Sequence, residues 1–202
     1  MVYAVSDLDK AITEFEQLSG VRPIFGGYHS SFGTKNALIN LTNGIYFELI
    51  ANDSSNKKIP PPRWMGVDFL TKNQTTRWAL KSNVLERDAY ILKKYNPDMG
   101  KVRNGSRNTA DGTLLQWELI MPLTAPEVEI SPFMVDWSKT EKHPSEILPN
   151  MNCELQEFYA IHPNPEIFEE LFKDLNFDLN IQKGSIPKIK VVLKTPNGIV
   201  TL

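Results

Sequence analysis

The chain has 202 residues, 41% of them hydrophobic and 23% charged, with a formal net charge of -2. A chain of this length buries a core without disulfide or metal staples, and its charge balance lacks the basic footprint of a nucleic-acid-binding surface. Cys153 is the one cysteine, which excludes an intrachain disulfide and suits a reducing compartment. Residues 1–20 do not show the basic-then-apolar order of a signal peptide, and no apolar run reaches the roughly 18 residues of a membrane span. The expectation is a cytoplasmic protein with neither a nucleic-acid nor a membrane partner.

Residues 1–5 are apolar and β-prone. Apolar positions then recur at Leu8, Ala11, Ile12, Phe15 and Leu18, a helical spacing, with Asp7 or Asp9 as N-cap and Gly20 as the stop. Pro23 and Gly26-Gly27 predict a loop that carries His29. Strands are expected over 36–41 and 45–50, joined by the Asn43-Gly44 hairpin turn. After a proline-rich linker over 54–62, a strand is expected over 64–70 and a helix over 84–95. Two strands follow, over 104–108 and 114–121, around Asp111-Gly112, then a connection over 122–132 and a short strand over 133–137. The last third predicts a strand over 155–161, a helix over 165–175 with proline in its first turn, and strands over 188–194 and 199–202 paired across Asn197-Gly198.

The first and last thirds share one order: strand, helix, Asn-Gly hairpin. Tyr3-Ala4 matches Tyr159-Ala160 at an offset of 156, and Asn43-Gly44-Ile45 matches Asn197-Gly198-Ile199 at an offset of 154, which sets Leu202 against Glu48. The middle third repeats the order, and Trp117-Glu118-Leu119-Ile120 echoes Phe47-Glu48-Leu49-Ile50. Three βαββ-type units, about 1–57, 61–138 and 152–202, are expected within a single domain over 1–202. Repeated units cover each other's apolar faces and leave room for a small ligand between them. Three units also leave one without an internal partner, which allows a homodimer.

Val2-Tyr3-Ala4-Val5-Ser6-Asp7, Gly20-Val21-Arg22-Pro23, Gly33-Thr34, Asn36-Ala37-Leu38 and Tyr46-Phe47-Glu48-Leu49-Ile50 together resemble the bacterial glyoxalase-like domain family of the vicinal oxygen chelate (glyoxalase/bleomycin resistance/dioxygenase) superfamily. Ser106-Arg107, Trp117, Pro132-Phe133, Asp136-Trp137 and His143-Pro144-Ser145 extend the resemblance over nearly the whole chain. It implies an α+β fold in which repeated βαβββ modules form curved mixed sheets around a pocket. Members of the superfamily include metal-dependent isomerases, dioxygenases and thiol transferases, and also metal-free proteins that sequester antibiotics, so fold transfers better than function.

The resemblance implies a divalent metal between a first-strand imidazole or carboxylate and a last-strand carboxylate. Glu48 stands at the last-strand position, opposite in face to Phe47 and Leu49; it reads as a pocket carboxylate or as an exposed strand glutamate. The histidine that relatives carry two positions before Val2 has no counterpart here, and Lys35 replaces the histidine of a Gly-Thr-His-Asn pattern. A metal is therefore allowed for, but its first-strand ligand is missing. Lysine is a protonated donor, so Lys35, beside Asn36, reads as an anion binder or as a solvated side chain. His29 reads as a loop acid or base with Glu48, or as a surface histidine. Arg107 reads as an anion clamp or a structural ion pair. Trp117 and Trp137 read as pocket walls or core, and His143 as a site imidazole that Asp136 orients. Glu118, alternating with Trp117, cannot share its face. The expected activity is lyase or isomerase chemistry on a small oxygen-rich or carboxylate-bearing molecule; the alternative is a non-catalytic sequestering protein of the bleomycin-resistance type.

Overall fold

The computed structural model describes residues 1–109 and 112–202; Asp111 of the expected Asp111-Gly112 turn lies outside the described residues. The fold is α+β, with 13 strands among the described residues in three mixed sheets. The first sheet starts with β1 (Val2–Ala4), followed by helix α1 (Leu8–Ser19) and strands β2 (Ile24–His29), β3 (Thr34–Asn40) and β4 (Tyr46–Asn52). The spatial order is β2-β3-β4-β1, with β1 parallel to β4. Asp7 caps α1 by accepting a hydrogen bond from Lys10 N at 3.0 Å. Gly20 ends it at φ 73°, a left-handed conformation that suits glycine. Leu8, Ala11, Ile12 and Phe15 form the buried stripe that packs on Ala37, Ile39, Phe47 and Leu49. Leu18 is exposed instead, and buried Ser19 returns its hydroxyl to Phe15 O at 2.6 Å.

The second sheet repeats this topology. Its strands are β6 (Ala79–Lys81), β7 (Val102–Asn108), β8 (Leu114–Ile120) and β9 (Phe133–Asp136), with α2 (Leu85–Tyr95) after β6. The order is β6-β9-β8-β7, with β6 parallel to β9. These two sheets are the βαβββ modules. They meet at one stretch of chain: β5 (Gln74–Arg77) pairs with β1, and β6 follows after Trp78 alone.

The first strand of this module was expected over 64–70, but that stretch turns. Met65, Gly66 and Phe69 have φ of 62°, 68° and 64°, and Trp64–Gly66 is a 3-10 turn. Asp68 accepts hydrogen bonds from Arg63 N at 2.6 Å and Arg63 Nη1 at 2.8 Å, which closes the turn. Its apolar side chains Trp64, Met65 and Val67 plug the concave side of the first two sheets. The loop expected around Gly26-Gly27 is instead the bulged strand β2, with a register shift between Phe25 and Gly27. A Cβ at Gly27 would lie 2.5 Å from Asn108 O, so glycine permits β2 to lie against β7.

The last third is not a spatial copy of the first. Its strands β10 (Glu154–His162), β11 (Ile181–Lys183), β12 (Lys188–Thr195) and β13 (Gly198–Thr201) run in the order β11-β10-β12-β13. Here the first strand is central and its helix, α4 (Glu169–Leu175), crosses to the parallel neighbour β11. Local likeness in strand, helix and turn does not dictate which edges pair. The repeat in space relates the first and second sheets, and the third closes one side of the space near them through Leu155 and Phe158. Among the described residues, no helix is long and apolar enough to cross a membrane.

Candidate functional site

Three cavities adjoin one another between the first two sheets. The largest, about 330 Å³, is walled by Trp78, Phe133, Val135, Trp137, Phe158 and Phe177 and carries Tyr46, Glu48, Lys81 and His143 as its polar groups. A small compartment of about 30 Å³, near the room of one water, shares Tyr46, Glu48 and Trp137 with it and adds His29, Asn36 and Arg107. A third cavity, about 180 Å³, shares Leu38 and Arg107 with the small compartment and opens away from Glu48.

Glu48 stands where the two inner cavities meet. The alternation of β4 sends Phe47 and Leu49 into the core under α1 and Glu48 to the concave face. Its side chain is 7% exposed, and Oε1 accepts a hydrogen bond from Asn36 Nδ2 at 2.6 Å. Burial pushes its carboxyl above the ordinary carboxylate range; the Asn36 hydrogen bond and the Arg107 guanidinium counteract part of this. Asn36 is 2% exposed and positions Glu48, while its own Oδ1 is buried without a partner among the described residues. That oxygen fits because Gly26 has no side chain: a Cβ there would lie 2.4 Å from it.

His143 and Tyr46 sit on the other side of the large cavity, with ring centroids 5.7 Å apart. His143 caps the short helix α3 (Pro144–Ile147): its Nδ1 accepts from Ser145 N at 3.3 Å and lies 2.7 Å from Ser145 Oγ. This leaves the ring proton on Nε2. Burial, then Lys81, lowers its pKa, so the ring is a neutral donor near pH 7. Burial raises the Tyr46 hydroxyl, which also stays protonated. Asp136 does not orient His143; its carboxylate accepts from Ser138 N at 2.7 Å.

His29 ends β2 rather than riding a loop, and it is 3% exposed. Its Nδ1 lies 3.0 Å from Thr34 Oγ1, which also accepts from Trp64 Nε1 at 2.8 Å. The ring stands edge-on between Trp64 and Trp117. Burial, then the Arg107 charge, lowers its pKa to about 3, so it does not exchange protons near neutrality. Lys35 lies 3.9 Å from Asp9 and lines none of the three cavities. Trp117 and Trp137 pack with centroids 5.0 Å apart and serve as both core and wall. Glu118 faces outward to Lys139 at 3.0 Å, as alternation requires. Sequence reasoning missed Tyr46, Thr34 and Trp78; strand alternation two residues before Glu48 points to Tyr46.

Strand register shows which side chains neighbour Glu48 and its counterpart in the second module. Val2 pairs with Glu48, and in the second module Lys81 pairs with Val135. Leu38 neighbours Glu48 as Leu119 neighbours Val135. One carboxylate, one ammonium and two alkyl groups do not make a divalent-metal donor set. Among the described residues, no group of three or more His, Cys, Asp or Glu side chains is placed to hold an ion.

The family model described as a glyoxalase-like domain matches residues 1–175. The chain belongs to that family. A hypothetical protein from Staphylococcus aureus has a similar fold over 99% of this chain and 96% of its own, with a TM-score of 0.68 and 16% identity. A methylmalonyl-CoA epimerase from Streptomyces coelicolor matches 68% of this chain and 94% of its own at TM-score 0.42 and 13% identity. One from Mycobacterium tuberculosis matches 67% of this chain and 82% of its own at TM-score 0.38 and 17% identity. A search of curated proteins finds no match.

Proposed function

We propose that this glyoxalase-like protein binds a small oxygen-bearing molecule beside Glu48 and moves a proton on it, an isomerase or lyase step that uses no bound metal. The observation that carries the reading is Glu48: a buried carboxylate with one oxygen held by Asn36, lining a largely apolar cavity. A carboxylate whose pKa is raised by burial is a stronger base toward a carbon acid. Glu48 takes the proton next to a carbonyl, the electron pair moves onto the carbonyl oxygen, and the neutral donors Tyr46 and His143 hydrogen-bond to that oxygen. Return of the proton to carbon completes an isomerisation; loss of a leaving group completes an elimination.

The aromatic walls favour a second reading, sequestration without turnover. Incubating the chelator-treated protein in D2O with a panel of small 2-oxo acids and diketones separates the two. Deuterium entering the compound, slowed 10²- to 10⁴-fold in Glu48→Gln, fits the catalytic reading. Thermal stabilisation without exchange favours sequestration, and neither effect across the panel sinks both. A homodimer is the assembly this reading expects, which light scattering measures.

A further inference from the structure

The cavity of about 180 Å³ on the far side of Arg107 has no part in the chemistry at Glu48, which does not line it. Its walls are Ile24, Phe25, Leu38, Leu115, Ile147 and Leu148. Phe25 and Ile147, each 39% exposed, leave an apolar rim open to solvent. The wall from α3 is fixed in place: buried Asn40 donates to Ser145 O, Leu148 O and Pro149 O at 3.2, 3.1 and 3.1 Å.

The inner end of this apolar space is a cation. Arg107 is only 6% exposed, yet among the described residues its one hydrogen bond goes to Gly26 O. No carboxylate among the described residues makes an ion pair with it; Glu48 acts on it only at longer range. A guanidinium carries five donors in a planar fork, and none of the Arg107 nitrogens is sealed off without a partner, so donors remain free to meet a ligand in the cavity that Arg107 lines. A planar carboxylate fits that fork with two parallel hydrogen bonds.

We propose that this cavity is a second binding site, for an alkyl monocarboxylate whose carboxylate sits on Arg107 and whose chain lies between β2 and the 144–149 segment. Binding there requires no proton transfer at Glu48. Calorimetry with butyrate, hexanoate and octanoate tests it, with octanol and inorganic phosphate as controls.

Affinity should rise roughly fourfold per added CH2 until the cavity is full. Octanol and phosphate should each bind at least tenfold more weakly than octanoate. Ile147→Trp, at the open wall, should abolish octanoate binding while the protein stays folded. Arg107→Gln should bring octanoate down to the affinity of octanol. Glu48→Gln should bind octanoate at least as tightly as the parent does, because it removes a negative charge that acts on Arg107, so failure of the proton-transfer reading leaves this result standing. Equal binding of octanol and octanoate, phosphate binding as tightly as octanoate, or unchanged octanoate affinity in Ile147→Trp each overturns the proposal.

Discussion

Arg77→Met should loosen the connection that leads into β9. Arg77 is 1% exposed, and its guanidinium donates to Thr76 O at 2.7 Å, Glu127 O at 2.6 Å, Leu123 O at 2.9 Å and Ala125 O at 2.5 Å. Thr76 O keeps another donor, Glu129 N, so three carbonyls lose their side-chain partner. Each orphaned acceptor costs about 1 kcal/mol where water can reach it and up to about 3 where it cannot. Ala125 and Glu127 are exposed, which puts them at the low end. Removing the cation also returns part of its desolvation cost, a cost visible in the fall of its pKa to about 10, chiefly through burial. We place the net loss at about 2 kcal/mol, a drop in Tm of roughly 4–8 °C for a chain of this size. Urea unfolding with an unchanged m-value measures it. A variant as stable as the parent would refute the reasoning, because the carbonyls would then rehydrate without cost.

Three further predictions concern single positions. His29 is neutral in the fold, with its pKa lowered from 6.5 to about 3; its contribution is present above pH 6.5 and is lost as pH falls toward 3. His29→Asn should therefore flatten the acid side of the stability profile measured by urea unfolding between pH 7 and 4, and an unchanged slope would contradict the burial argument. Gly105→Ala places a Cβ 2.3 Å from Trp117; the indole must move, and tryptophan fluorescence should shift together with a loss of about 1–3 kcal/mol. An unshifted spectrum at full stability would count against it. Lys35→Ala should change stability by less than about 0.5 kcal/mol, because its ion pair with Asp9 is long and at the surface; a loss of ligand stabilisation in that variant would support the anion-binding reading.

What was legible in the sequence were features set by neighbours along the chain. The caps of α1, the alternation that turns Glu48 inward, and the opposition of Trp117 and Glu118 depend on residues a few positions apart. The features that were not legible depend on distant contacts. Gly26-Gly27 signals a turn locally, but β7 packs there and makes it a bulged strand. The apolar run at 64–70 has the composition of a strand, yet its burial comes from plugging the concave face. The last third has the local order of the first, and only strand pairing shows that its sheet is built differently. His143 and Asp136, close in sequence, each satisfy a serine two residues away instead of meeting.

The ionisation of Glu48 tests the central claim most directly, and it needs no substrate. A carbon-13 NMR titration of the Glu48 carboxyl in chelator-treated protein should give a midpoint above the ordinary 4.5, as burial requires. Adding a divalent metal should leave that midpoint in place. A midpoint at or below 4.5, or one driven down by added metal, would contradict the account of Glu48 as a buried base that works without an ion.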